Sequence, residues 1–199
     1  MEMNEFTETL GSPRLFHEIK LDEARGMLCR GLRYFIGDGA KWLKEYDEIA
    51  GWLSDNHRRG LLLYGKNGKG KTVMAYDIIP TLFAYYYKSM RLFKCTAPEM
   101  RGVQPERNDY LDFLMADAVF IDDFGTESVA NNYGERHDVF SEIVNRSEMD
   151  RKLLVLSTNL TPKEIGERYG ERTLDRLRAI TVPVCFEGDS MRARNDENY

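Results

Sequence analysis

The sequence is poor in cysteine, histidine and net positive charge, and each shortage removes a class of function. Its three cysteines, Cys29, Cys95 and Cys185, are far apart, odd in number and without a C-x-x-C pair. They read as buried or free thiols in a reducing compartment, not as a disulfide framework or zinc site. The three histidines are scattered too, which speaks against a metal cluster. Lysine and arginine number 28 against 33 acids, a formal net charge of -5. A protein that coats nucleic acid through its overall field is usually basic, so any DNA contact here needs a local basic patch or an assembled oligomer. A run of about 18 apolar residues is missing, so no membrane-spanning helix and no membrane partner is expected. Met1–Ser12 is acidic and polar, unlike a secretory signal with its basic start and apolar middle. The expectation is a cytoplasmic chain.

What is present suits one α/β domain. The 199 residues can bury a real core but not two cores of ordinary size. Leu21–Phe35 carries apolar residues at helical spacing, and Ala40–Leu53 reads as a second helix after the turn Gly37-Asp38-Gly39. Gly60–Tyr64 is a short apolar run of the kind found in buried parallel strands. A helical pattern runs from Lys71 to about Lys88, with Pro80 expected to kink or interrupt it. Further strands are expected over Arg91–Cys95, Ala118–Ile121, Lys152–Ser157 and Ile180–Phe186, with helices over Glu135–Val144 and Pro162–Tyr169. Strands alternating with helices give a parallel sheet covered on both faces, which binds ligands at the carboxyl ends of its strands.

The motifs fall at those ends. Gly65-Lys66-Asn67-Gly68-Lys69-Gly70-Lys71-Thr72 fits G-x-x-x-x-G-K-[ST] at every position, with Val73 following. Glycines let successive backbone N–H groups converge on phosphate oxygens, and the helix beginning near Lys71 adds the positive end of its dipole. Lys71 is placed to reach the β- and γ-phosphates of ATP, and the Thr72 hydroxyl to ligate Mg²⁺. A chance match is a roughly one per cent event at average composition. Val119-Phe-Ile-Asp122-Asp123 then delivers two adjacent carboxylates on a buried strand. Neighbouring strand side chains diverge, so Asp122 can serve the Mg²⁺ shell while Asp123 orients or deprotonates the attacking water. The plain alternative is a strand ending in a solvated turn.

Leu153-Leu-Val-Leu-Ser-Thr-Asn159 ends a third such strand, expected beside the Asp122 strand. Asn159 can bond the γ-phosphate or the attacking water, or simply cap the next helix. In Tyr169-Gly-Glu-Arg172-Thr-Leu-Asp-Arg176-Leu-Arg178, Arg172 and Arg176 share one side, with Asp175 available to hold one of them. Such a row is either a solvated helix face or a source of an arginine presented in trans to a neighbour's γ-phosphate. Tyr85-Tyr86-Tyr87-Lys88 invites either base stacking or ordinary packing on the sheet.

Taken together, Gly-Lys-Asn-Gly-Lys-Gly-Lys-Thr, Ile-Asp-Asp-Phe-Gly, Ser-Thr-Asn-Leu and Tyr-Gly-Glu-Arg-Thr-Leu-Asp-Arg-Leu resemble the DnaC/DnaI helicase loaders and the related IstB transposition helpers, of the AAA+ ATPase superfamily. The resemblance runs from about Gly60 to Arg194. It implies a P-loop NTPase fold of AAA+ type, with a five-stranded parallel sheet, helices on both faces and no C-terminal helical lid. Residues 1–55 would flank the core as a helical segment able to contact a partner, and 56–199 would form the ATPase domain. It also implies Asn159 as polar sensor, Arg176 as the finger completing a neighbour's site, Arg192 as a second sensor, and Pro13–Phe16 near the adenine. The implied activity is slow, switch-like ATP hydrolysis, because many AAA+ members carry Glu where this chain has Asp123. The implied partners are a replicative helicase, single-stranded DNA and further copies of the chain. An IstB-like helper on duplex DNA is the second reading, and a P-loop small-molecule kinase the third.

Overall fold

Apolar runs of strand length alternate with amphipathic runs of helix length from Gly60 onward, and the chain folds accordingly. The structure, a computed structural model, describes residues 19–66, 70–103, 109–126 and 139–187. Helices α1 (Leu21–Ile36) and α2 (Lys44–Ser54) precede strand β1 (Gly60–Gly65). After the phosphate loop comes a π-helical stretch, Val73–Ile78, that runs into α3 (Ile79–Tyr86). Then follow β2 (Leu92–Thr96), a 3-10 turn (Pro98–Val103), α4 (Asp109–Met115), β3 (Ala118–Phe124) and α5 (Val139–Met149). Strand β4 (Leu153–Thr158), α6 (Pro162–Tyr169), α7 (Glu171–Ile180) and β5 (Thr181–Phe186) complete the described chain.

The five strands form one parallel sheet in the order β2-β3-β4-β1-β5. Alternation along each strand supplies two apolar faces. Leu61, Leu63, Phe120 and Val155 pack with α1, α2, the π stretch and α3, whereas Leu62, Ile121, Leu154 and Leu156 pack with α4 to α7. Strand β4 is buried throughout, as a central parallel strand must be. Cys95 lies in this interior, where burial pushes its thiol up to about 12, and all three cysteines are free. Among the described residues no helix is long and apolar enough to cross a membrane, and none follows β5.

Four of the expected elements differ from the sequence expectation. Helix α2 begins at Lys44 instead of near Ala40, because Gly37 at φ 97° opens an extended connection after α1. Helix α5 continues past Val144 to Met149, and residues 135–138 of the expected span lie outside the described residues. Pro80 sits in the first turn of α3, and the strain of a helical proline is met upstream by widening: the Ile79 N–H donates to Met74 O, one residue further back than in an α-helix. The fourth difference is functional. Strand β3 does not stop at Ile121 but carries both aspartates inside it.

Helix α2 is pinned at both ends of the sheet. The Trp52 indole donates to the carbonyls of Arg59 (2.9 Å) and Gly60 (3.0 Å), where β1 begins. At its start, Glu45 accepts the Glu187 N–H (3.0 Å) and Lys44 pairs with the Glu187 carboxylate (3.1 Å), just past β5. The α1–α2 turn therefore stands at the carboxyl edge of the sheet, the edge that carries the phosphate loop. Helix α1 approaches the π stretch closely: a Cβ on Gly31 would meet Ile78 at 2.7 Å.

Candidate nucleotide site

Strand β1 ends in Gly65, whose φ of 123° turns the chain out of the sheet. A Cβ there would lie 2.4 Å from the Phe186 carbonyl, so only glycine fits between β1 and β5 at this corner. Gly70, at φ 83°, returns the chain to the helix that Lys71 opens. Asn67, Gly68 and Lys69 lie outside the described residues, as do Arg192 and Pro13–Phe16. Lys66 is exposed, and Val73 enters the π stretch partly buried. Lys71 is 5% exposed. Its ammonium donates to the carbonyls of Gly65 (2.7 Å) and Lys66 (2.8 Å) and to the Asn159 side-chain oxygen (3.0 Å). Three neutral acceptors thus meet the cation over the loop.

The aspartates owe their placement to a bulge. Ile121 pairs with Leu156 and Phe124 with Thr158, so three steps on β3 oppose two on β4. The extra residue puts Asp123 at φ 58°, a left-handed conformation that aspartate tolerates better than most residues. A bulge leaves a backbone N–H without its ladder partner, and here Ser157 supplies one. Its hydroxyl accepts the Asp123 N–H (2.9 Å) and donates to the Asp122 carboxylate. Asp122 is 8% exposed. Burial raises the Asp122 carboxyl above the usual carboxylate range, while the bond from Ser157 and the nearby Thr72 hydroxyl pull it down and the charges of Asp123 and Asp77 push it up.

Asn159 joins the two halves. Its carbonyl oxygen accepts from Lys71, and its amide nitrogen donates to Asp123 (2.8 Å). The expectation that β3 and β4 are neighbours holds, and the capping alternative for Asn159 is corrected. Thr161 caps α6 in a reciprocal box with Glu164 (2.7 and 3.3 Å), leaving Asn159 to the cluster. The structure thus gathers Lys71, Thr72, Asp122, Asp123 and Asn159 at one edge. It adds Ser157, which sequence reading passed over. The available signal was a hydroxyl interrupting an apolar β4 run directly opposite the acidic pair.

The arginines of α7 are arranged differently from expectation. Asp175 holds Arg178 (3.5 Å), not Arg172 or Arg176. Arg176 pairs with Glu148 (3.0 Å) and bonds Asn145, both on α5. Arg172, four positions earlier on the same side, is exposed. Of the tyrosine row, Tyr85 (68%) and Tyr86 (41%) are exposed, whereas Tyr87 packs on Phe83 with ring centroids 5.3 Å apart. The packing reading holds for Tyr87.

The arrangement fits a magnesium nucleotide. A cation, a hydroxyl and a carboxylate converge at a glycine corner that a Cβ would fill, and the carboxylate's burial makes a positive partner favourable. Among the described residues no group of histidine, cysteine and carboxylate side chains forms a separate metal site.

No protein-family model matches the chain. It is 25% identical over 172 residues to the replicative helicase loader DnaI of Bacillus subtilis (strain 168), covering 76% of this chain and 51% of that one. The chain therefore spans about half the length of the curated relative it matches. Among solved structures it superposes on AMPPCP-bound DnaA from Aquifex aeolicus with a TM-score of 0.55 at 18% identity, covering 72% of this chain and 45% of DnaA. On the DnaC helicase loader the TM-score is 0.54 at 17% identity, covering 86% and 94% of the two chains. The likeness to these structures shows the fold, that of the AAA+ P-loop domains, and in sequence the chain is similar to DnaI.

Proposed function

We propose that the chain binds Mg-ATP at the carboxyl edge of β1, β3 and β4, hydrolyses it slowly, and uses the cycle to load or remodel a replicative helicase on single-stranded DNA. The observation that carries the nucleotide part is the Asn159 amide, which bonds Lys71 on one side and Asp123 on the other. It ties the phosphate-binding cation to the carboxylate assigned to the attacking water. Similarity to DnaI and DnaC supports the helicase part.

In this reading Lys71 exchanges the Gly65 and Lys66 carbonyls for the β- and γ-phosphate oxygens. Thr72 and Asp122 would hold Mg²⁺, which would supply neutralisation of the phosphate charge. Asp123 orients the attacking water, and the Asn159 amide fixes its carboxylate. Ser157 keeps both acids in register through the bulge. An aspartate at 123 reaches less far than a glutamate, which accords with a slow switch. The site is completed by a second copy, with an α7 arginine presented across the interface. Arg176 would have to leave Glu148 to serve, while Arg172 is already exposed. Residues 1–55 and Arg192 are assigned to partner contact and nucleotide sensing on the same footing.

The test is copurification with a hexameric replicative helicase, combined with ATPase assays on single-stranded and duplex DNA. An ATP-dependent complex with the helicase supports the loader reading. ATP-dependent filaments on duplex DNA with no helicase complex would replace it with an IstB-like role, and rapid phosphate transfer to a small acceptor with a kinase.

A further inference from the structure

The outer strands of the sheet, β5 and β2, end in differently finished edges. At β5 the outer edge is closed: Pro183 brings no N–H, and the Glu187 N–H is accepted by the buried Glu45 carboxylate (3.0 Å). At β2 it stays open. The Arg91 carbonyl accepts the N–H groups of Asp117 (2.8 Å) and Ala118 (3.2 Å), and the Ala97 N–H donates to the Asp122 carbonyl (3.0 Å). Residues at odd positions therefore bond β3, since a parallel strand turns both backbone groups of alternate residues to one neighbour. Leu92, Lys94 and Thr96 turn theirs outward. The Glu99 carboxylate takes the Thr96 N–H (2.7 Å), but among the described residues no acceptor meets the N–H of Leu92 or Lys94.

A groove of about 800 Å³ runs along this open edge. Its floor is β2 from Arg91 to Cys95, and its walls are Tyr76 of the π stretch and Asp109, Asp112 and Met115 of α4. Lys94 lies over the Tyr76 ring (3.8 Å), whereas Phe93 meets Phe113 of α4 with centroids 6.0 Å apart, so the walls stand on opposite faces of the sheet. The unspent charge of the groove is negative. Arg91 has Asp117 beside it (3.9 Å), but Asp109 and Asp112 are exposed and have no ion pair among the described residues. Burial and then the charges of Glu99 and Asp109 raise the Cys95 thiol, which marks the same field on the floor. A second copy fits this edge poorly. Two β2 strands paired edge to edge would bring their Lys94 side chains together on one face and their α4 acids on the other, like charge against like. A basic strand meets the acids without that cost.

We propose that the β2 edge binds an extended basic segment of a partner protein as an added strand. Its backbone bonds Leu92 and Lys94, and basic side chains at alternate positions face Asp109 and Asp112. The inference requires no nucleotide and stands apart from the reading of the phosphate-loop site. Only β2 separates such an occupant from the strand of the acidic pair, with Thr96 in register with Asp122.

The experiment uses the full chain and a short labelled peptide, blocked at both ends, in which lysine and valine alternate. Anisotropy measures its affinity, and amide hydrogen exchange followed by NMR locates it. Saturable binding is expected. At saturation the Leu92 and Lys94 amides should exchange about 10-fold more slowly or better, while those of Phe93 and Cys95, already bonded to β3, change little. Replacing both acids, Asp109→Asn with Asp112→Asn, should weaken binding about 2- to 30-fold, an effect that salt diminishes. Leu92→Pro removes an outward N–H at the first position of β2, where proline is tolerated, and should weaken binding about 2- to 12-fold. Circular dichroism checks folding, and the wild-type exchange pattern decides the matter if the proline variant does not fold. The proposal is overturned if the wild type does not bind the peptide, if the acid-neutralised chain binds equally well, or if Leu92 and Lys94 exchange as before at saturation. Equal binding of the peptide N-methylated at every amide would also overturn it, because the contact would then be ionic alone. A dimer in sedimentation that the peptide dissociates would give the edge to a second copy, and that too would overturn it.

Discussion

Two polar regions of the fold differ in where their partners come from. At β1, β3 and β4 the polar groups close on one another: Lys71 on backbone carbonyls and Asn159, Asn159 on Asp123, Ser157 between the two aspartates. On α1 and the connection after it, Arg30, Arg33 and Lys41 have no carboxylate partner among the described residues. Burial explains the contrast. Inside the fold an unmet donor or charge costs about 1–3 kcal/mol or more, so the nucleotide site must be internally satisfied before any ligand arrives. Outside, water meets the same groups at little cost, and a partner of opposite charge can be awaited. A buried site therefore exchanges partners on binding, whereas an exposed one adds them.

Predictions follow from disturbing the internal network in steps. Lys71→Ala removes the group that all three acceptors share, and should lower ATP turnover about 100-fold or more. Isothermal titration with ATP separates lost binding from lost chemistry. Ser157→Ala strips the Asp123 N–H and the Asp122 carboxylate of one partner each. It should cost about 1–3 kcal/mol, with each kcal/mol lowering Tm by about 2–4 °C in a chain of this size. Thermal unfolding measures it, and an unchanged Tm would mean the bulge does not depend on Ser157.

Asp122→Asn works the other way. The Asp122 carboxyl is raised in the folded chain, so its charged form penalises folding once pH exceeds the unfolded carboxylate value of about 3.9. Near neutral pH the variant should melt higher than wild type in the absence of nucleotide, and this gain should vanish below about pH 4. It should also lose the stabilisation that Mg-ATP confers, because the proposed Mg²⁺ ligand is gone. The smallest effects lie on α7. Arg176→Ala breaks the contact with Glu148 and Asn145 and should cost about 1 kcal/mol, whereas Arg172→Ala, on the surface, should stay within about 0.5 kcal/mol. If Arg172→Ala nonetheless removes ATP-dependent assembly measured by light scattering, Arg172 and not Arg176 reaches the neighbour.

Much of this was legible in the residues. The glycine-lysine loop, the alternation of apolar runs and the polar residues ending β3 and β4 each follow from short-range rules, and the parallel sheet follows from their order. The rest depends on pairing across the fold. The bulge exists only because β3 and β4 are fixed elsewhere in a register that leaves one residue over, and nothing in Ile-Asp-Asp-Phe alone sets that register. Ser157 matters because it faces that surplus N–H. Arg176 faces α5, a contact set by helix packing and not by spacing within α7, so Asp175 was the natural but mistaken partner. Pro80 was readable as a disturbance, though not as a π turn placed before it.

The Asn159 bridge is the centre of the account, and one variant probes it directly. ATP affinity and single-turnover hydrolysis should be measured side by side for wild type and Asn159→Ala, with Mg²⁺ present. The bridge predicts affinity within a few-fold of wild type and hydrolysis about 10- to 100-fold slower, since Asp123 loses the donor that orients it. Unchanged hydrolysis, or a loss of affinity as large as the loss of rate, would contradict it.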